Sequence, residues 1–312
     1  MPESPAVDAL RKMLQSPVAA DEPLARHTSF RIGGPAELFV LVQNIQDLGR
    51  ALRFASDRGM PVHLLGGGSN LLVLDEGVRG LVLKLDGEFK QVDWVREGAS
   101  ARVTAGAAVS MVGLARRATD QGLSGLEFAA GIPGTLGGAV VMNAGTYLGC
   151  IADVATRVWL MNSRGEPEER SREGMGFGYR TSVLQQEPRF VCKVEMALAP
   201  VDDADAIKAR LREHLERRTA TQPLSQPNAG SVFKNPPGDY AGRLIEAVGA
   251  KGWQSGGAMV SPLHANFIVN TGRATARDVL ILMERVKAAV RERFGVELEP
   301  EIKIWGAGES TF

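Results

Sequence analysis

Two clusters of glycine constrain the fold of this chain more strongly than any other feature of its sequence. The 312 residues include 36 glycines, where average usage gives roughly 22. The excess is concentrated in Gly66–Asn70 and in a longer stretch from Gly131 to Gly145. A backbone without side chains can lie directly against another segment or a ligand. The clustering therefore predicts binding loops built from backbone within a folded protein.

The first loop, Gly66-Gly67-Gly68-Ser69-Asn70, follows a predicted buried strand. It is not a Walker loop, because no Gly-Lys-Ser/Thr follows, and it lacks the third glycine and the helix of a dinucleotide fingerprint. Consecutive glycines still expose a row of backbone N–H groups, to which Ser69 and Asn70 add side-chain donors. This combination suits a phosphate. The alternative is a tight turn between strands, which rarely needs three glycines.

The second loop is Gly131-Ile132-Pro133-Gly134-Thr135-Leu136-Gly137-Gly138, and Met142-Asn143-Ala144-Gly145 follows it. Taken alone, this stretch is equally consistent with close packing of another chain segment and with a cofactor lying on the backbone. Two such loops in successive units favour a ligand with two phosphates, held between the units.

Composition excludes several classes of protein. Lys plus Arg and Asp plus Glu each total 36, and a net charge of zero removes the electrostatic argument for nucleic-acid binding. The 44% hydrophobic content is typical of a globular protein rather than a disordered one. Cys150 and Cys192 are the only cysteines, and the four histidines show no metal-ligand spacing, so we expect no metal site.

No stretch approaches the roughly 18 consecutive apolar residues of a membrane span. Residues 1–23 also lack the basic start and apolar run of a signal peptide. We therefore expect a cytoplasmic protein without membrane insertion, and a monomer is the default expectation.

Hydrophobic periodicity predicts an α+β chain in three units, residues 1–86, 87–202 and 203–312. A helix over 45–56 should begin after Asn44 as its N-cap. Further predicted elements are strands at 36–43, 61–65, 157–162 and 190–199, and helices at 109–119 and 203–218.

The end of the chain has its own helix signals. Thr275 and Asp278 form a capping box, and Gly295 is placed to end the helix. An alternating pattern from Val296 to Ile304 predicts a closing strand.

Seven short motifs occur in a fixed order along the chain. They are His27-Thr28-Ser29-Phe30-Arg31-Ile32-Gly33-Gly34, Gly66–Asn70, Gly131-Ile132-Pro133-Gly134, Met142-Asn143-Ala144-Gly145, Gly178-Tyr179-Arg180-Thr181-Ser182, Asn228-Ala229-Gly230-Ser231-Val232-Phe233-Lys234-Asn235-Pro236 and Leu298-Glu299-Pro300-Glu301. With this ordered set the chain resembles the UDP-N-acetylenolpyruvoylglucosamine reductase (MurB) family. The resemblance implies a vanillyl-alcohol-oxidase-type (PCMH) two-part FAD-binding fold in the first two units and a C-terminal α+β substrate-binding domain.

The same resemblance implies a reaction and its cofactors. The family reduces UDP-N-acetylglucosamine enolpyruvate to UDP-N-acetylmuramate for peptidoglycan synthesis. For this chain it implies noncovalently bound FAD, NADPH as co-substrate and the enolpyruvyl sugar nucleotide as substrate. One branch of the family has an inserted loop with a tyrosine after the catalytic arginine. Here Thr181–Pro200 is short and contains no tyrosine, so the chain resembles the shorter branch.

Matched motif by motif, the resemblance assigns Arg180, Ser231 and Glu301 to the catalytic positions. Arg180 would stabilise the negative charge that develops on the substrate carboxylate, and Glu301, if protonated, would hydrogen-bond the same group. Ser231 would donate a proton to the adjacent carbon. The implied contacts to the diphosphate of substrate or NADPH are Asn235, Lys251 and His264. The implied FAD contacts are Gly66, Gly67, Gly68, Ser69, Asn70, Gly131, Ile132, Gly134, Thr135, Gly137, Gly138, Asn143 and Gly145.

Without the resemblance, each proposed catalytic residue has a structural alternative. Arg180 would be one of many surface arginines, and Ser231 would belong to an Asn-Ala-Gly-Ser turn. Glu301 would lie on a solvated strand face. Two other functions also stay open: a different oxidoreductase on the same flavin fold, and a nucleotide-binding regulatory module without redox chemistry. The regulatory module would be colourless, whereas both enzymes would carry flavin.

Overall fold

The computed structural model describes residues 5–98 and 100–306. The outer ends of the first and third predicted units, 1–4 and 307–312, lie outside the described residues, as does residue 99. Helices and strands are mixed along the whole described chain, which confirms the predicted α+β class. Over these two ranges, no helix is both long and apolar enough to cross a membrane.

The first part of the chain forms a four-stranded sheet with two helices. Its elements are α1 Pro5–Met13, β1 Val18–Pro23, β2 Pro35–Val42, α2 Ile45–Asp57, β3 Val62–Leu65, β4 Leu71–Val73 and β5 Val78–Leu85. The strand order is β1-β2-β5-β3. Strand β1 pairs with β2 in antiparallel orientation, whereas β5 pairs in parallel with both β2 and β3. The first glycine loop connects β3 to β4, as predicted.

The second part is built around a larger antiparallel sheet. Its elements are β6 Val92–Glu97, β7 Ser100–Gly106, α3 Met111–Asp120, β8 Leu123–Ser124, α4 Leu136–Val141, β9 Gly145–Thr146, β10 Gly149–Cys150, α5 Ile151–Val154, β11 Ala155–Asn162, β12 Pro167–Ser171, β13 Arg189–Pro200 and α6 Ala204–Thr221. The strand order is β12-β11-β13-β7-β6, and β8 pairs with the end of β13.

The C-terminal part contains two helices and short strands. Its elements are α7 Ala241–Ala247, β14 Gln254–Ser255, β15 Ala258–Val260, β16 Ile268–Asn270, α8 Ala276–Phe294 and β17 Lys303–Trp305. Strands β14, β15 and β16 form an antiparallel sheet. Strand β17 instead returns to the first part of the chain and pairs in parallel with β4.

Two predicted helices are confirmed together with their caps. The Asn44 side chain accepts a hydrogen bond from the N–H of Asp47 at 2.8 Å and starts α2. The capping box of Thr275 and Asp278 starts α8, and Gly295 ends it with a φ of 68°. These local signals are reliable because they satisfy backbone groups that a helix end leaves unpaired.

The closing strand predicted from Val296 to Ile304 is wrong over most of its length, because only Lys303–Trp305 is a strand. Between Val296 and Glu301, the pairing found among the described residues is an isolated antiparallel bridge of Pro300 with Phe233. The N–H of Glu301 donates to the carbonyl of Val232 at 2.8 Å. The segment therefore lies beside the Asn-Ala-Gly-Ser motif rather than within a sheet.

The glycine-rich stretch contains helix α4, which the sequence analysis did not predict. Glycine has a low helix propensity, and three of the residues before and within α4 are Gly134, Gly137 and Gly138. Leu136 and Val140 of α4 are fully buried. Tertiary burial thus overrides local propensity here.

The larger hydrophobic core joins both main sheets and takes in α6, whose Ile207 and Leu211 are buried there. A second core belongs to the C-terminal part, but Phe30 and Leu72 of the first part contribute to it. The C-terminal part is thereby held against β4, beside the first glycine loop. The division at 86/87 and 202/203 stays a prediction.

Candidate active site

A cavity of about 1230 Å³ opens where the first, second and C-terminal parts of the chain meet. Both glycine loops line it, as do Arg180, Ser231 and Glu301. These three residues come from the connection before β13, the loop after α6 and the segment before β17. The cavity therefore brings together two sets of residues that are widely separated along the chain.

The two glycine loops contact each other through their backbones. A Cβ on Gly67 would lie 2.5 Å from the Cα of Gly134, which is closer than real side chains allow. The Ser69 hydroxyl donates to the carbonyl of Pro133 at 3.0 Å. Gly67 and Gly134 therefore pack against each other. At Gly134, the second loop accordingly follows the first of its two interpretations, close packing of another chain segment.

Other glycines leave space rather than contacts. A Cβ on Gly138 would have one neighbour outside its own helix backbone, the Thr135 hydroxyl, at 3.7 Å.

The first glycine loop has unpaired backbone donors. Across residues 5–98 and 100–306, the N–H groups of Gly66, Gly67, Gly68 and Ser69 have no hydrogen-bond acceptor. Unpaired N–H groups at a concave surface are the arrangement that binds phosphate oxygens. The chemistry of this donor set fits the diphosphate of a dinucleotide such as FAD.

Arg180 is held in an unusual backbone conformation at the cavity. Its φ is 55°, in the left-handed region that non-glycine residues rarely occupy. Its Nη1 donates to the carbonyl of Gly145 at 2.9 Å. Its Nε lies 2.8 Å from Oε1 of Glu301, although the N–H is not directed at that oxygen and has no hydrogen-bond partner in the described chain. The contact is an ion pair, and because Nε is buried, Nη2, which makes no hydrogen bond among the described residues, is the donor left for a ligand.

Glu301 is the other half of this pair. Burial raises the pKa of its carboxyl, while Arg180 and Lys234 oppose the shift. At a given pH, a larger fraction of Glu301 therefore carries a proton than for an exposed glutamate. Its backbone is fixed too, because Asn70 of the first glycine loop donates its amide N–H to the Glu301 carbonyl at 3.1 Å. The glycine loop and the proposed acid are thus directly connected.

Ser231 lines the same cavity, directly after Gly230, whose φ is 77°. Its hydroxyl makes no hydrogen bond within the described ranges. The loop around it is anchored, since Ser29 donates to the carbonyl of Asn228 at 2.6 Å. A free hydroxyl on an anchored loop is available to a bound molecule.

Five of the predicted site residues do not line the cavity. Gly131 lies against Arg218, and Asn143 donates to the carbonyl of Gly178 at 3.0 Å. Asn235 accepts from the N–H of Ala241 at 3.1 Å at the start of α7. The remaining two also have protein partners: Lys251 pairs with Glu246 at 2.7 Å, and His264 accepts from the N–H of Asn266 at 3.2 Å.

One side of the cavity, formed by the end of α6, was not predicted from the sequence. His214, Arg218 and Gln222 line it, and each has a buried polar atom without a hydrogen-bond partner among the described residues. Tyr147 also lines it, with its hydroxyl 3.2 Å from Nδ1 of His214. His214 and Arg218 lie on α6, which is rich in charged residues, and Gln222 is its C-cap, so no local signal separates them from a solvated surface.

Comparison with known proteins agrees with this arrangement. A family model described as "FAD binding domain" matches residues 36–169. A second, described as "UDP-N-acetylenolpyruvoylglucosamine reductase, C-terminal domain", matches residues 222–305. The chain is 52% identical over 305 residues to UDP-N-acetylenolpyruvoylglucosamine reductase 2 of Symbiobacterium thermophilum, with 97% of each chain covered.

The chain belongs to the UDP-N-acetylenolpyruvoylglucosamine reductase family. The reductase of Moorella thermoacetica is 50% identical over 299 residues, covering 96% of this chain and 97% of that one. The crystal structure of the Thermus caldophilus reductase (MurB) superposes with a TM-score of 0.80 at 39% identity, covering 94% of this chain and 99% of that one. Family membership and the FAD-binding domain class the chain as an FAD-dependent oxidoreductase with the fold expected from its motifs.

We expect the substitution Gly67→Ala to weaken FAD binding in this reductase. The new Cβ would lie 2.5 Å from the Cα of Gly134, so the two loops must separate. Overpacking of this kind costs about 1–3 kcal/mol, and we expect the dissociation constant for FAD to rise about 10-fold or more. Fluorescence titration of the apoprotein with FAD measures it.

Gly113→Ala is the matched control for this substitution. Gly113 lies in α3, where the nearest atom to a new Cβ is 3.6 Å away, so FAD affinity should stay native. An unchanged affinity in Gly67→Ala would mean that contact between the loops does not shape the cofactor site.

Proposed function

We propose that this chain reduces UDP-N-acetylglucosamine enolpyruvate to UDP-N-acetylmuramate, with NADPH as the reductant, as a cytoplasmic step of peptidoglycan precursor synthesis. The observation that carries the proposal is the common cavity of the glycine loops, Arg180, Ser231 and Glu301. A different oxidoreductase on the same fold would need the loops but would have no reason to hold this set of three.

FAD would be held by the N–H groups of Gly66–Ser69 and by the backbone around Ile132–Gly138, both of which line the cavity. When bound, FAD supplies a two-electron carrier that accepts a hydride from NADPH and passes it to the substrate. Gly138 leaves the space that a ring system or a phosphate would occupy. Arg218 of α6 and its C-cap Gln222 add to the same surface polar atoms that have no hydrogen-bond partner among the described residues.

Arg180 and Glu301 would act on the substrate carboxylate. Reduction at the vinyl carbon distal to this group builds negative charge on its oxygens, and groups fixed in advance stabilise such charge best. Arg180 supplies a permanent cation with a planar fork of donors. Glu301 supplies a further hydrogen bond only while protonated, and its raised pKa favours that form.

Ser231 would give a proton to the carbon next to the carboxylate. A serine hydroxyl is a very weak acid, so this role requires a strongly basic acceptor and replacement of the proton from solvent. The absence of a hydrogen-bond partner for this hydroxyl, among the residues described, supports the role.

Asn235, Lys251 and His264 remain proposed contacts to the diphosphate of the substrate or of NADPH. In the present arrangement each has a protein partner, so binding would exchange that partner for the ligand. Gly131 and Asn143 likewise remain proposed cofactor positions, with packing as the observed contact. We propose that the protein acts as a monomer.

The flavin should be bound without a covalent link, and acid or heat should release all of it into the supernatant. Cys150 is the first candidate for attachment, but it does not line the cavity, and burial and Asp153 raise the pKa of its thiol. A neutral thiol is a poor nucleophile. Visible absorbance of supernatant and pellet measures the release, and yellow colour retained in the pellet would contradict the prediction.

Conversion of the enolpyruvyl sugar nucleotide tests the proposed function itself. With NADPH the purified protein should form a product heavier by two hydrogen atoms, seen by mass spectrometry. A colourless protein would favour a regulatory module. A yellow protein that oxidises NADPH but leaves this substrate intact would favour another flavin-dependent oxidoreductase.

A further inference from the structure

The backbone of Arg180 needs support from outside its own turn. Its left-handed φ of 55° is unfavourable for a side chain with a Cβ, and such residues persist only where neighbours fix them. The turn itself contributes two weak bonds, between Gly178 and Thr181 at 3.1 and 3.4 Å. These do not involve the backbone carbonyl of Arg180.

Gln185 supplies the missing contact. Its Nε2 donates to the carbonyl of Arg180 at 2.9 Å and to the carbonyl of Val141, at the end of α4, at 3.2 Å. Its Oε1 accepts from Nζ of Lys303 at 2.7 Å. Both polar atoms of the side chain are therefore engaged, and they face different parts of the fold.

These contacts connect the two segments that carry the charged pair of the cavity. Lys303 lies two residues after Glu301, at the start of β17, and Gln185 lies five residues after Arg180. The connection through Gln185 runs beside the direct contact between Arg180 Nε and Glu301 Oε1 at 2.8 Å. A side chain that bonds both segments fixes the distance between these two groups.

We propose that Gln185 is a positioning residue that fixes Arg180 relative to Glu301 for the substrate half-reaction, the step in which the substrate reoxidises the reduced flavin. The inference rests on the proposed function, because it concerns the step in which Arg180 stabilises charge on the substrate. Gln185 acts through Arg180. Removal of the Gln185 side chain lets the left-handed turn relax and moves the Arg180 guanidinium away from its position beside Glu301. Loss of a residue that orients a reacting group typically lowers activity about 10–100-fold.

The first test is Gln185→Leu, which keeps the approximate size of the side chain and removes its hydrogen bonds to Arg180, Val141 and Lys303. In holoenzyme studied by anaerobic stopped-flow, reoxidation of the flavin by the enolpyruvyl substrate should slow about 10–100-fold. Flavin reduction by NADPH, flavin content and the melting temperature should stay native. Gln186→Leu is the matched control, because Gln186 is its exposed neighbour in sequence, and it should behave as the native enzyme.

A second variant separates the bond accepted from Lys303 from the bonds donated by Nε2 to Arg180 and Val141. Gln185→Glu can still accept from Lys303 but offers no donor to the Arg180 carbonyl, so it should be as slow as the leucine variant. A native rate in Gln185→Glu would overturn the proposal, since the contact to Lys303 alone would then suffice. Equal loss in both half-reactions, or lost flavin, would also overturn it in favour of a purely structural role.

Combination with Arg180→Lys gives the decisive result. If Gln185 acts through Arg180, the double variant should be no slower than Arg180→Lys alone, because effects of residues that act as a unit do not add. Full additivity would overturn the inference. A native substrate half-reaction in Arg180→Lys itself would instead contradict the proposed function, so the two failures are distinguishable.

Discussion

Ser231→Ala is expected to stop the substrate half-reaction almost completely while leaving the NADPH half-reaction close to native. The substitution removes the proposed proton donor, and loss of a positioned donor of this kind costs on the order of 10²–10⁴ in rate. Ser231 belongs to the loop after α6 rather than to the glycine loops, so flavin should stay bound. Stopped-flow absorbance of the flavin band, recorded for each half-reaction, measures both effects.

Two further variants make this test specific. Ser231→Cys retains a donor of similar size and should keep measurable turnover, whereas Ser225→Ala, at an exposed serine in the same segment, should be native in both half-reactions. If Ser231→Ala were reoxidised at the native rate, water or another residue would supply the proton. Ser231 would then be only a turn residue.

Arg180→Lys is the substitution with the second largest expected effect. Lysine keeps the charge but loses the planar fork, in which Nη1 bonds the Gly145 carbonyl while a different nitrogen faces the substrate carboxylate. Removal of one such stabilising donor typically costs on the order of 10²–10³ in rate. The rate of flavin reoxidation by substrate should fall by this amount, with little change in reduction by NADPH.

Arg157→Lys provides the control for this second substitution. Arg157 forms an exposed ion pair with Glu169 at 3.2 Å and does not line the cavity, so both half-reactions should stay native. An equal loss in both half-reactions of Arg180→Lys would indicate a binding or folding defect and would contradict the assigned role.

Local signals predicted those parts of the fold that depend on local physics. The capping box at Thr275 and the N-cap at Asn44 both lie where the sequence placed them. The strand expected from Val296 to Ile304 fails because alternation does not reveal whether a partner strand lies alongside: before Lys303 the described segment forms only an isolated bridge, between Pro300 and Phe233. Helix α4 was missed because burial of Leu136 and Val140 outweighs the poor propensity of its glycines.

The candidate site was predictable only in part. The glycine loops were apparent from composition, and the N–H groups of Gly66–Ser69, which lack an acceptor in the described part of the chain, agree with the expected anion site. Arg180, Ser231 and Glu301 are far apart in sequence, and only the family resemblance selected them. Arg218 and Gln222 had no signal at all, since the packing of α6 beside Gly131 is a tertiary contact.

An anaerobic experiment on the holoenzyme tests the central claim most directly. NADPH should bleach the visible band of the bound flavin, and a stoichiometric addition of UDP-N-acetylglucosamine enolpyruvate should then restore it, with UDP-N-acetylmuramate as the product. A flavin that is reduced by NADPH but stays bleached after addition of this substrate would contradict the account.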